Sequence, residues 1–127
     1  RSAMPPTRFA AIAVLTVVAT TNAHAQELRD LPESVRRAIT AFTECAAVYT
    51  HAQTATPRTA VEIADAASAS CEVLALDYHA KILAHARSQH TVAGAIEAAH
   101  QATAYLRAIV HTQAQDLVHY LRAPPQT

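Results

Sequence analysis

The chain has 127 residues, with ten basic and ten acidic side chains, one glycine and two cysteines. A single glycine cannot build a phosphate-cradling loop, a dinucleotide turn or a nucleophile elbow. Balanced charge, with Arg36-Arg37 the one adjacent basic pair, argues against nucleic acid, whose binders present basic surfaces and release many counterions.

Residues 4–25 follow the order of a cleavable export signal: a short basic start with Arg8, an apolar stretch at 9–18, then small residues closing on Ala23-His24-Ala25. The reading is a signal-peptide helix with upstream residues over 1–25, cleavage after Ala25, and a single helical domain over 26–127. The apolar stretch is ten residues long, well short of the roughly twenty that cross a bilayer as a helix. No cysteine follows the cleavage site to take a lipid, and no second spanning run exists. The expected location is therefore periplasmic or secreted, with no stable membrane span after cleavage. Without Arg1 and Arg8 the remainder has eight basic residues against ten acidic ones, a net charge of −2.

Alanine-rich composition with few aromatics favours helix over sheet. A first helix is expected over about 31–53. Asp30-Leu31-Pro32-Glu33 reads as a capping box, and Val35, Ile39, Phe42, Cys45/Ala46 and Tyr49 recur at steps of three and four. The connector 54–58 contains Pro57, which disfavours helix at Thr56. Thr59-Ala60-Val61-Glu62 is a second capping box and opens a helix over about 59–88, with a stripe of Ile63, Ala67, Cys71, Leu74, Tyr78, Ile82 and His85. So short a connector makes the two helices antiparallel neighbours. The polar run Ser88-Gln89-His90-Thr91 and Gly94 suggest a bend, then a third helix over about 92–122 carrying Val92, Ile96, Ala99, Ala102, Leu106, Val110, Ala114, Leu117 and Leu121. The alternative is one unbroken helix from 59 to 122, about 95 Å long, whose uncovered stripe would need a second copy, giving a homodimer. Ala123-Pro124-Pro125 ends the helical region. Tyr49 and Tyr78 continue the stripes, while Tyr105 and Tyr120 border the last one.

Cys45 and Cys71 each lie on the stripe of their own helix, at similar heights from the connector. The expectation is a disulfide between them, which fits an oxidising compartment. Their separation is neither C-x-x-C nor a zinc-ligand spacing. A small domain with a thin alanine core gains from such a tie.

Seven histidines follow residue 25: His51, His79, His85, His90, His100, His111 and His119. Chelation on one helix needs ligands three or four apart on one face, and no pair has that spacing. Glu97-Ala98-Ala99-His100 matches the E-x-x-H element of di-iron bundles and Asp116-Leu117-Val118-His119 resembles it. That architecture needs the element on two helices, and here both fall in one segment. A site joining helices would draw on His85 with His100 or His111. No C-x-x-C-H indicates covalent haem.

The stretch Cys45-Ala46-Ala47-Val48-Tyr49, the capped Thr59-Ala60-Val61-Glu62-Ile63-Ala64-Asp65-Ala66-Ala67 and Ala69-Ser70-Cys71 together resemble small exported α-helical proteins of proteobacteria with a two-cysteine helical hairpin. The resemblance covers about 40 residues of the chain, and no activity, cofactor or site residue comes with it. The sequence thus predicts an all-α fold: a disulfide-stapled antiparallel hairpin plus a C-terminal helix, a small three-helix bundle. The expected role is a non-enzymatic binding or structural module, with no cofactor, that meets a protein or a small ligand. The competing reading is a periplasmic metal or haem carrier using His85, His100 and His111.

Overall fold

A computed structural model describes residues 30–125. The expected signal peptide at 1–25 lies outside the described residues. Within them the fold is all-helical, with four helices: α1 (Glu33–Gln53), α2 (Ala60–Ser70), α3 (Glu72–Arg87) and α4 (Val92–Arg122). No helix among the described residues is long and apolar enough to cross a membrane.

α1 starts two residues later than expected, with its N-cap at 32 and not at 30. Pro32 holds the N-cap position with extended backbone (ψ 149°) and no side chain closes it. Proline disfavours helix at the residue before it, so the helix cannot run through Leu31 and Asp30 does not cap it. The second box forms as read: the Glu62 N–H donates to Thr59 Oγ1 at 3.1 Å and the Thr59 N–H to Glu62 Oε1 at 3.3 Å. Both ends of that exchange satisfy amides that a helix start leaves without partners.

The helix expected over 59–88 is two helices. Cys71 leaves helical geometry (φ −103°, ψ 14°), and the Leu74 N–H donates to Cys71 O at 3.0 Å instead of one residue further back. No glycine or proline occurs between 58 and 90 to announce this break. It falls where the chain is tied to α1. Cys45 and Cys71 form a disulfide, with Cα atoms 6.1 Å apart.

The bend at 88–91 separates α3 from α4, so the single 59–122 helix is not formed. Thr91 caps α4 by accepting the Gly94 N–H at 3.1 Å. Gly94 therefore sits inside the first turn and not at the break. A Cβ there would lie 3.1 Å from Thr91 Oγ1, a tight contact, yet the equivalent Thr59 cap closes with Glu62 in the same position.

α4 packs on all three other helices. It runs antiparallel to α2 and α3: Arg107 meets Glu72, His111 meets Asp65, and Arg122 meets the connector. There the Arg122 guanidinium donates to Thr54 O at 3.1 Å and Thr56 O at 2.8 Å, supplying donors to carbonyls past the end of α1. Phe42, Ala46, Ala67, Cys71, Ala75 and Val110 make the central core, and Ala60, Ile63 and Val118 a second cluster beside the connector. Tyr78 is buried, and loss of water around its phenol pushes that group's pKa above the ordinary value.

Candidate functional site

The seam between α3 and α4 gathers the most polar chemistry. Glu72 opens α3 and Arg107 lies midway along α4. Arg107 donates to both carboxylate oxygens of Glu72, one bond being 2.8 Å (Nη2 to Oε1), a bidentate geometry. Those hydrogen bonds hold the Glu72 carboxyl below the usual range. Partial burial opposes the shift and the guanidinium charge adds to it.

Seven residues further along α3 stands His79, and seven residues back along α4 stands His100. Seven residues is close to two helical turns. In an antiparallel pair, stepping forward on one helix and back on the other reaches facing positions. His79 and His100 therefore stand across the seam as Glu72 and Arg107 do. Both line one open cavity of about 310 Å³, with Leu76, Thr103, Ala104 and Arg107. The Thr103 hydroxyl, largely buried, donates back to Ala99 O at 2.8 Å. Val73 lies one turn before Leu76 and Ile96 one turn before His100. These three apolar side chains are 77%, 56% and 53% exposed, respectively for Val73, Leu76 and Ile96, and Leu76 lines the cavity itself.

His111 has a different setting. Its Nε2 is 2.7 Å from Asp65 Oδ1 on α2, and its Nδ1 is 3.0 Å from Gln115 Nε2 one turn on. With Gln115 donating to Nδ1, the imidazole proton sits on Nε2 and points to Asp65. Both ring nitrogens are thus engaged inside the protein.

His85, His100 and His111 do not converge. His100 and His111 are eleven residues apart on α4, about 16 Å along the axis. His85 occupies the last turn of α3, six residues beyond His79, which rotates it by roughly 120° onto another flank. Among the described residues no group of three or more His, Cys, Asp or Glu side chains could hold a metal ion. For a site joining helices the sequence favoured His85, which lies on the apolar stripe, and so passed over His79. The partner of His79 lies on α4, and only the register of α3 against α4 reveals it.

A second, smaller groove runs between α1 and α4, lined by Thr43, Ala46, Ala47, Val110, Gln113, Ala114 and Leu117. It is apolar and floored by alanines, and it carries no titratable group. No family model, curated protein or solved structure matches the chain, so the reading of its function rests on the geometry of the α3–α4 seam and on the Cys45–Cys71 tie.

Proposed function

We propose that this protein is an exported, disulfide-locked helical module that binds a partner along the α3–α4 seam and does not catalyse. The Cys45–Cys71 disulfide carries the export reading, because such bonds persist in oxidising compartments and are rare in reducing ones. The basic, apolar and small-residue order of residues 4–25 supports the same location. The binding reading is supported by Val73, Leu76 and Ile96, which place exposed apolar surface beside polar groups of both signs. Against catalysis stands His111. It is the histidine held by a carboxylate in the manner of a general base, yet Asp65 and Gln115 take both of its ring nitrogens.

Two measurements test this reading. Alkylation of the protein in intact cells is expected to leave both cysteines unmodified until a reductant is added, with the protein in the exported fraction. Free thiols in a cytoplasmic fraction would overturn the export reading. A photo-crosslinking residue placed at Val73 or Ile96 is expected to give one discrete adduct in that compartment, while the same residue at Val48, exposed on α1, gives none. Equal labelling from all three positions would remove the seam as the binding face.

A further inference from the structure

We infer that His79 and His100 together bind a divalent cation of imidazole-preferring type, Cu²⁺ or Zn²⁺, across the α3–α4 seam. The inference deepens the reading of the seam as a binding face and rests on it.

Position comes first. Glu72 and Arg107 show by direct contact that their positions on α3 and α4 face one another. His79 and His100 are each seven residues removed, in the sense that keeps them opposed. The two rings also line one cavity, so the space between them is open and not filled by other side chains. A Glu–Arg pair spans a wide gap. Two imidazoles would each reach a shared ion at about 2.0–2.1 Å.

Availability comes second. Neither imidazole has a hydrogen-bond partner among the described residues, whereas His111, the other α4 histidine with a cross-helix neighbour, has two. Ligation needs a neutral ring with a free nitrogen lone pair, and His79 and His100 both offer one. His79 is half-buried and His100 exposed, so their side chains can rotate toward an ion without moving backbone.

Charge comes third. Arg107 borders the cavity, and an unpaired guanidinium there would repel a cation. Glu72 neutralises it through the bidentate pair. Leu76 and Ala104 make the remaining wall apolar, which lowers the local dielectric and leaves the two nitrogens as the strongest donors.

Two nitrogen ligands leave the other coordination positions to water or to an incoming group. Two ligands are one fewer than the three protein ligands of an open catalytic zinc site and two fewer than the closed shell of a structural zinc. Imidazole suits copper and zinc, and copper binds the tighter of the two by the general order of first-row affinities.

The test uses the purified full chain without an affinity tag, its disulfide intact, titrated with Cu²⁺ alone and with Zn²⁺ alone. The expected result is one equivalent bound, Cu²⁺ more tightly than Zn²⁺, and a thermal midpoint that rises with metal because binding favours the folded state. His79→Ala and His100→Ala are each expected to weaken binding at least ~10-fold, as loss of one of two ligands requires. His85→Ala and His90→Ala bind as the parent does. Both site residues lie at the surface, and circular dichroism confirms that each variant is folded. As a second readout, Cu²⁺ broadens the imidazole resonances of His79 and His100 before those of the other histidines. No one-to-one binding, or binding that survives the double variant, would overturn the site. A crosslinked adduct at Val73 with no metal uptake would leave the seam a binding face and overturn the metal site alone.

Discussion

Thr50 is the one side chain among the described residues whose polar atom is buried with no hydrogen-bond partner. It is fully buried on α1, in line with Val35, Ala38, Phe42 and Ala46. A buried hydroxyl without a partner loses its water and gains nothing in exchange. Valine has the same branched shape without that atom. Thr50→Val is therefore expected to raise unfolding stability by about 1 kcal/mol, measured by urea titration at constant m-value. A loss of stability would show that Oγ1 finds an acceptor in solution, for instance a carbonyl one turn back, as the Thr103 hydroxyl does with Ala99.

The Glu72–Arg107 pair ties one helix to another, so its consequence belongs to α3 and α4 together. The carboxyl is held below its unfolded value, so on acidification the unfolded chain takes up this proton first. The pair's stabilisation is whole above the ordinary glutamate range and is lost as pH falls through the folded-state value. Both side chains are more than a third exposed, 35% for Arg107 and 43% for Glu72, so solvent screening limits the contribution to at most about 1 kcal/mol. Glu72→Gln is expected to be less stable than the parent by that amount at pH 7, and equal to it once the pH has fallen through the folded-state value and the carboxyl is protonated. A difference between the two that persists at acid pH would mean that Glu72 acts through packing and not through charge.

At this same scale the sequence was legible in unequal parts. The direction of the helical runs and the bend at 88–91 followed from periodicity, the Thr59 box and the polar run, whereas their number did not: three were expected and four are formed. Most stripe residues are buried, among them Val35, Phe42, Ile63, Ala67, Tyr78, Ile82, Ala99, Val110 and Ala114, but three positions were read one residue off. Sequence periodicity favoured Ile39, Leu74 and Ile96, whereas the most buried positions are Ala38, Ala75 and Ala95, with Ile96 exposed. Hydrophobic scales weight large side chains. Helices in close contact place small ones at the point of nearest approach and let large ones straddle it. The break at Cys71 escaped notice because its partner, Cys45, is tertiary and no local residue marks it. The disulfide itself was legible, because both cysteines lie on apolar stripes that a short connector brings side by side. Of the seam, His100 was visible as a candidate and His79 was not.

For the whole molecule the staple is the largest single device that can be removed. It closes a loop across a separation of 26 residues. In the chain-entropy account that is worth about 3–4 kcal/mol, a large share of the roughly 5–15 kcal/mol that holds a typical domain together. Reduction, or the pair Cys45→Ala with Cys71→Ala, is expected to lower the thermal midpoint by on the order of 15–25 °C, read by circular dichroism with and without reductant. A shift of only a few degrees would assign the stability to the alanine-lined core around Phe42 and demote the bond to a local tie.

The grip of Arg122 on Thr54 and Thr56 joins residues 66 and 68 positions apart in the chain. A ribosome makes the connector long before it makes that arginine. While synthesis proceeds, the early hairpin waits with the carbonyls of its bend unclasped, and the bundle can shut only after α4 has emerged in full.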